Sequence, residues 1–170
     1  MMPPRFAPEI LRGPAKPLWV PILSTIAGSA VCLLPIVATS PALPPFGLLM
    51  LLSWRLLRPE MWPASMALAL GFADDLMSGH FLGTSMALWT VALLALDWVD
   101  HHMVWRDYWM EWVIATVAIV AIQTGAWFLN HRPGMTDTLA NILPTVILGI
   151  LAFPMLVRVT AMLDRWRLRL

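Results

Sequence analysis

The chain reads as a succession of apolar runs divided by short polar or proline-bearing stretches. Six runs stand out, at about residues 18–38, 46–58, 62–78, 81–98, 112–129 and 139–157. A helix that crosses a bilayer needs about 20 mainly apolar residues. The pattern therefore predicts an all-α fold, a polytopic transmembrane bundle of six helices (the length alone holds about five or six). Residues 1–17 form a proline-rich tail before the first run. Residues 18–158 make a single transmembrane domain, and 159–170 a basic tail.

Prolines and small residues give the runs individual character. Pro21 falls in the first turn of its helix, where a missing N–H is tolerated, and Pro35 is expected to kink or end that helix. The second run is short, and Arg55 and Arg58 at its end are expected to snorkel towards the interface. Pro59 then breaks it. The third run is small in its middle, with Ser65, Ala69 and Ala73 spaced by four and Ala67 and Gly71 likewise. Such rows let helix backbones approach closely in lipid, so this helix is expected at the centre of the bundle. The most polar loop, residues 97–111, carries Asp97, Asp100, His101, His102, Arg106, Asp107 and Glu111.

Charge sets the orientation. With six crossings and both termini cytoplasmic, ten of the eleven lysines and arginines lie inside and only Arg132 lies outside. That is the positive-inside bias of a membrane protein. Folding the third and fourth runs into one re-entrant loop would put the C-terminal arginines on the wrong side. Composition agrees: 59% of residues are hydrophobic and 12% charged, against about 25% charged in a soluble domain. The net charge of +1 offers no bulk basicity for nucleic acid. The proline-rich start is too long and too polar for the n-region of a cleaved signal peptide. Trp19, Trp54, Trp62, Trp98, Trp105, Trp109, Trp112 and Trp166 fall near run ends, as an interfacial aromatic belt would, with Trp89 and Trp127 as interior exceptions. The single Cys32 lies in an apolar run and reads as a small hydrophobe.

The stretch from Gly71 to Gly83 breaks this apolar monotony, with adjacent Asp74 and Asp75, Ser78, His80 and three glycines. An acid at a helix centre costs about 2.5–3.5 kcal/mol on insertion scales and less near the interface. Six crossings place this pair near the outer interface. Each catalytic motif it suggests is incomplete. A prenyl-transfer array would need a third Asp where Ser78 stands, and magnesium wants several oxygen ligands. Phospholipid phosphotransferases need a longer aspartate set. Ser78-Gly79-His80 matches part of a lipid-phosphatase signature without its other elements. An intramembrane serine protease needs a His base on a neighbouring span, whereas all four histidines fall in predicted loops. Asp97, Asp100 and His101 have helical spacing for a metal, although an interfacial helix end with mixed charges is a far more common reason for such a pattern. No cofactor or metal is expected, and no catalytic residue is assigned. Three readings stay open for the stretch: a tight structural hairpin, a substrate- or proton-handling site, and an enzyme.

The pattern Gly71-x-x-x-Asp75-Leu76-x-Ser78-Gly79-x-x-Leu82-Gly83 resembles the signature of the bacterial rod shape-determining MreD family. Chain length, the six-span plan, and a span opening at Pro45 and carrying Trp54 before a short basic loop resemble that family too. The matching positions are Gly71, Asp75, Leu76, Ser78, Gly79, Leu82 and Gly83. Asp74 departs from the family, whose members are apolar there, which leaves open which carboxylate faces the interior. The row from Ala67 through Gly71 favours Asp75. The resemblance implies a non-enzymatic scaffold of the bacterial inner membrane, multi-pass with both termini cytoplasmic. It also implies direct binding of MreC, membership of a wider complex with MreB, RodA and a penicillin-binding transpeptidase, and a role in cell shape and peptidoglycan synthesis. Membrane lipids surround such a protein. The family's fold is similar to the substrate-binding subunits of energy-coupling-factor transporters. That keeps an alternative alive: a small transporter subunit or lipid-intermediate binder with Asp75 in a ligand cavity. The 97–111 loop is the expected contact for a cytoplasmic partner such as MreB.

Overall fold

The structure is a computed structural model that describes residues 18–33, 43–102, 108–130 and 139–168. All regular structure among the described residues is helical, with no strand among them. Helix α1 spans Trp19–Ala30, α2 Phe46–Leu57, α3 Ala64–Ser78, α4 Thr84–His102, α5 Tyr108–Asn130 and α6 Leu143–Arg167. Short 3₁₀ turns, Val31–Leu33, Pro59–Met61 and Leu139–Ile142, extend α1, link α2 to α3 and lead into α6. Pro45 and Pro63 stand at the N-caps of α2 and α3, where a residue without an N–H removes no helical bond. Pro35, Trp105, Arg106, Asp107 and Arg132 lie outside the described residues.

Two helices, Trp109–Asn130 and Leu143–Arg167, are long and apolar enough to cross a membrane. The last helix runs well past the expected end at residue 157. Pro154 is accommodated inside it, and the segment read as the start of a basic tail is helical to Arg167. Burial explains the extension, because Thr160, Asp164 and Arg167 all face inward. Helix α4 also continues beyond the expected 98, to His102.

Helices α1, α3, α4, α5, α6 and α2 pack in that cyclic order, and α2 also touches α5. The centre is α2, not α3. Every position from Gly47 to Leu56 is buried, as befits a helix that is apolar on all sides. Leu48, Leu49, Leu51 and Leu52 pack with Trp89, Leu93, Ile119 and Phe153 from three other helices. Helix α3 presents an open flank instead, with Phe72 and Leu76 exposed.

The exterior is apolar over much of α4, α5 and α6, where Val91, Leu94, Val117, Phe128, Leu151 and Met155 are exposed. Hydroxyls turn back onto their own helices: Thr116 donates to the Trp112 carbonyl at 2.8 Å and Thr124 to Val120 at 2.7 Å. Such bonding suits surroundings that offer no water. Trp19, Trp98, Trp109 and Trp166 are exposed at helix ends. Trp54 and Trp62, expected in the same belt, are buried. The Trp54 indole donates to Ser24 Oγ at 2.8 Å and so joins α2 to α1. A buried indole N–H usually finds such a partner.

Arg55 and Arg58 do not reach outwards from the bundle. Arg55 is buried and donates to Asp97 and, at 2.8 Å, to Asp100 on α4. Half-exposed Arg58 donates to Asp164 on α6 at 3.0 and 3.2 Å, and buried Arg167 to the same carboxylate at 2.6 Å. Arg167 also lies over the Trp54 ring, 5.7 Å from its centroid. A charge moved out of water is stable only with such partners.

Candidate functional site

The stretch from Gly71 to Gly83 is the hairpin between α3 and α4, and its glycines answer two different needs. Gly79 ends α3 at φ +69° and Gly83 precedes α4 at φ +100°. A Cβ at either would meet open space, so backbone conformation is what demands glycine there. Gly71 has an ordinary helical backbone, but a Cβ on it would sit 2.6 Å from Met86 Cα. Its missing side chain is what lets α3 and α4 touch. Ala67, Gly71 and Asp75 form the row buried against that neighbour.

Asp75 is the polar keystone of the turn. Its carboxylate accepts the backbone N–H groups of Gly83 and Ser85, both at 2.8 Å, and of Met86 at 3.4 Å. These are the orphan donors at the start of α4. A carboxylate here also meets the positive end of the helix dipole. Asp75 thus caps a helix from the helix before it, and among the described residues no side-chain cation pairs with it.

Asp74, one residue earlier, turns towards α1 and α2. It is buried, accepts the Ser85 hydroxyl at 2.9 Å, and lies beside the Ser29 hydroxyl. Gly47 opposes it: a Cβ there would be 3.1 Å from Asp74 Oδ1 and 2.1 Å from Ser29 Oγ. The carboxylate forms part of the wall of a cavity of about 380 Å³. Cys32, Ser78, Ser85, Gln123 and Thr145 add polar atoms to the wall, and Trp89 and Phe46 add rings. The end of α1, the starts of α2, α4 and α6, the end of α3 and the C-terminal half of α5 all meet there. Successive helices therefore run in opposite directions, and the cavity opens at the end remote from Arg55, Arg58 and Arg167.

The motif residues divide accordingly. Gly71, Asp75, Gly79 and Gly83 build the turn. Ser78 is half-buried and lines the cavity, while Leu76 and Leu82 are exposed. Sequence reasoning singled out Asp75 for the interior; both acids are interior, and Asp74 is the one in the cavity wall. It passed over Gly47, Gln123 and Thr145. Gln123 carried a usable signal, since an amide inside an apolar span needs a partner.

Asp97, Asp100 and His101 do not converge as metal ligands. The acids hold Arg55, and His101 Nδ1 is bonded to the Asp97 carbonyl at 2.6 Å. Among the described residues no group of three or more His, Cys, Asp or Glu could hold a metal ion.

No protein-family model, curated protein or solved structure matches the chain.

Proposed function

We propose that this protein is an integral scaffold of a bacterial inner membrane that crosses the bilayer six times with both termini cytoplasmic. In this reading it is non-enzymatic, binds MreC directly, and acts with MreB, RodA and a penicillin-binding transpeptidase in the cell-elongation complex. The apolar exterior and the antiparallel run of helices support the membrane placement. The charged ends of α2, α4 and α6 would then be cytoplasmic, and the Asp74 cavity would face outwards.

One observation carries the scaffold role. Helix α3 has two rows of small residues, and only the Ala67–Gly71 row is used inside the chain. Ser65 and Ala69 in the other row are exposed, beside a shallow groove lined by Ile22, Met66 and Leu70. A small-residue face in lipid suits a second transmembrane helix, and a bitopic partner such as MreC brings one. The resemblance over Gly71–Gly83 supplies the identity of that partner.

The test is co-purification of tagged protein with MreC in mild detergent, for wild type and Ala69→Phe. The expected outcome is capture by wild type and loss with the bulky variant, with no change in the variant's own melting. Absence of MreC from the wild-type eluate, together with normal cell shape on depletion, overturns the reading. The alternative, a small transporter subunit or lipid-intermediate binder, draws support from the polar cavity, with Asp74 rather than Asp75 in its wall. It predicts a bound small molecule in the same eluate.

A further inference from the structure

We infer that the Asp74 cavity binds a primary ammonium group, carried by a lipid headgroup or by a free amine. The contrast between the two acids is the starting point. Asp75 is satisfied by three backbone N–H groups and a helix dipole. Asp74 is also buried, but among the described residues its hydrogen-bond partners are the Ser29 and Ser85 hydroxyls, and His80 and Asp75 act on it through charge alone. A buried carboxylate without a cation is unfavourable. Among the described residues every arginine lies towards the opposite ends of α2 and α6, and the one basic side chain in the cavity wall is His80, exposed at the rim and with no hydrogen bond to Asp74 among the described contacts.

The surroundings favour an amine over other cations. A divalent metal would need several carboxylate, carbonyl or water oxygens, and the cavity wall holds one carboxylate. A primary ammonium offers three N–H donors. Asp74, the Ser85 and Thr145 hydroxyls and the Gln123 carbonyl are acceptors in the same wall. A quaternary ammonium has no N–H and relies on an aromatic cage; the indole of Trp89 alone does not make one. Gly47 leaves room for the Ser29 hydroxyl beside Asp74 Oδ1.

The experiment uses the full chain in nanodiscs of equal phosphatidylethanolamine and phosphatidylglycerol, released for native mass spectrometry. A parallel arm measures thermal melting in ethylammonium chloride against sodium chloride at equal ionic strength. The expected result is selective retention of the ethanolamine lipid, a concentration-dependent rise in Tm with ethylammonium, or both. Asp74→Asn should weaken the effect on the order of tenfold or more, as loss of a charge-assisted hydrogen bond does. Ala126→Leu, which adds bulk to the wall without touching the carboxylate, should weaken it too. A response in the lipid arm alone assigns the amine to a headgroup, and in the melting arm alone to a solute. No amine selectivity in either arm, or selectivity undiminished in Asp74→Asn, overturns the proposal. If Asp74→Asn does not fold, unchanged binding by Ala126→Leu overturns it. Co-purification of MreC is unaffected by either outcome, so the scaffold reading stands or falls separately.

Discussion

The carboxylate of Asp75 holds the N–H of Gly83 at 2.8 Å, across a turn of seven intervening residues. That contact joins the end of one helix to the start of the next. It also explains why an acid is tolerated in so apolar a stretch: the start of α4 supplies donors that would otherwise lack acceptors.

Replacing Asp75 should therefore damage the fold before anything else. Asp75→Ala leaves buried N–H groups without acceptors, a loss of about 1–3 kcal/mol. Asp75→Asn keeps one acceptor oxygen and should lose less. Melting of purified protein in detergent will rank them wild type, Asn, Ala. Equal melting of all three would show that the cap contributes nothing.

Gly71→Ala should be the most harmful glycine replacement among those with normal backbone angles. The added methyl meets the Met86 backbone at 2.6 Å, and overpacking of this kind costs about 1–3 kcal/mol. Gly125→Ala is the matched control. Its methyl meets Leu88 Cδ2 at 2.8 Å, a side-chain end that can rotate away, while alanine favours the helix by about 1 kcal/mol. Near-neutral melting is expected for Gly125→Ala and a clear decrease for Gly71→Ala.

Asp164 joins α6 to the end of α2 through Arg58, and pairs with Arg167 on its own helix. Asp164→Asn leaves the buried Arg167 guanidinium without its counter-charge, and breaking a buried pair costs about 3–5 kcal/mol. The double replacement Asp164→Leu with Arg167→Met removes both buried charges and should recover most of that loss. Melting midpoints of single and double variants decide the matter; no recovery in the double would mean the charges themselves are not the cause.

The proposed topology predicts opposite labelling at the two ends of the bundle. In a Cys32→Ser background, His80→Cys lies beside the outward cavity and His101→Cys at the cytoplasmic end. Both positions are exposed. A membrane-impermeant maleimide on intact spheroplasts should label position 80, and position 101 only after permeabilisation. The reverse pattern would invert the orientation.

Much of this was legible in the chain. The Ala67–Gly71 spacing predicted a buried row on α3, and Asp75 falls on it one turn later. The glycines at 79 and 83 marked the turn. Other features depend on contacts distant in sequence. Nothing local in Trp54 distinguishes a belt tryptophan from one bonded to Ser24, thirty residues earlier. The ion pairs of Arg55 with Asp97 and Asp100 are equally hidden, because snorkelling and internal pairing look alike along a helix. The central place of α2 was missed because its short length resembled a marginal span.

The sequence by itself determined that the described residues are mainly helical, where most helices begin, and that a glycine-bounded turn follows the paired acids. Apolar periodicity, proline and glycine act locally and need no partner to be read. Only the tertiary structure decided that neighbouring acids have different neighbours. One helical step turns Asp74 about 100° from Asp75, which separates a cavity wall from a helix cap. The packing of α1, α2 and α4 around that step set which acid met backbone donors and which met open space.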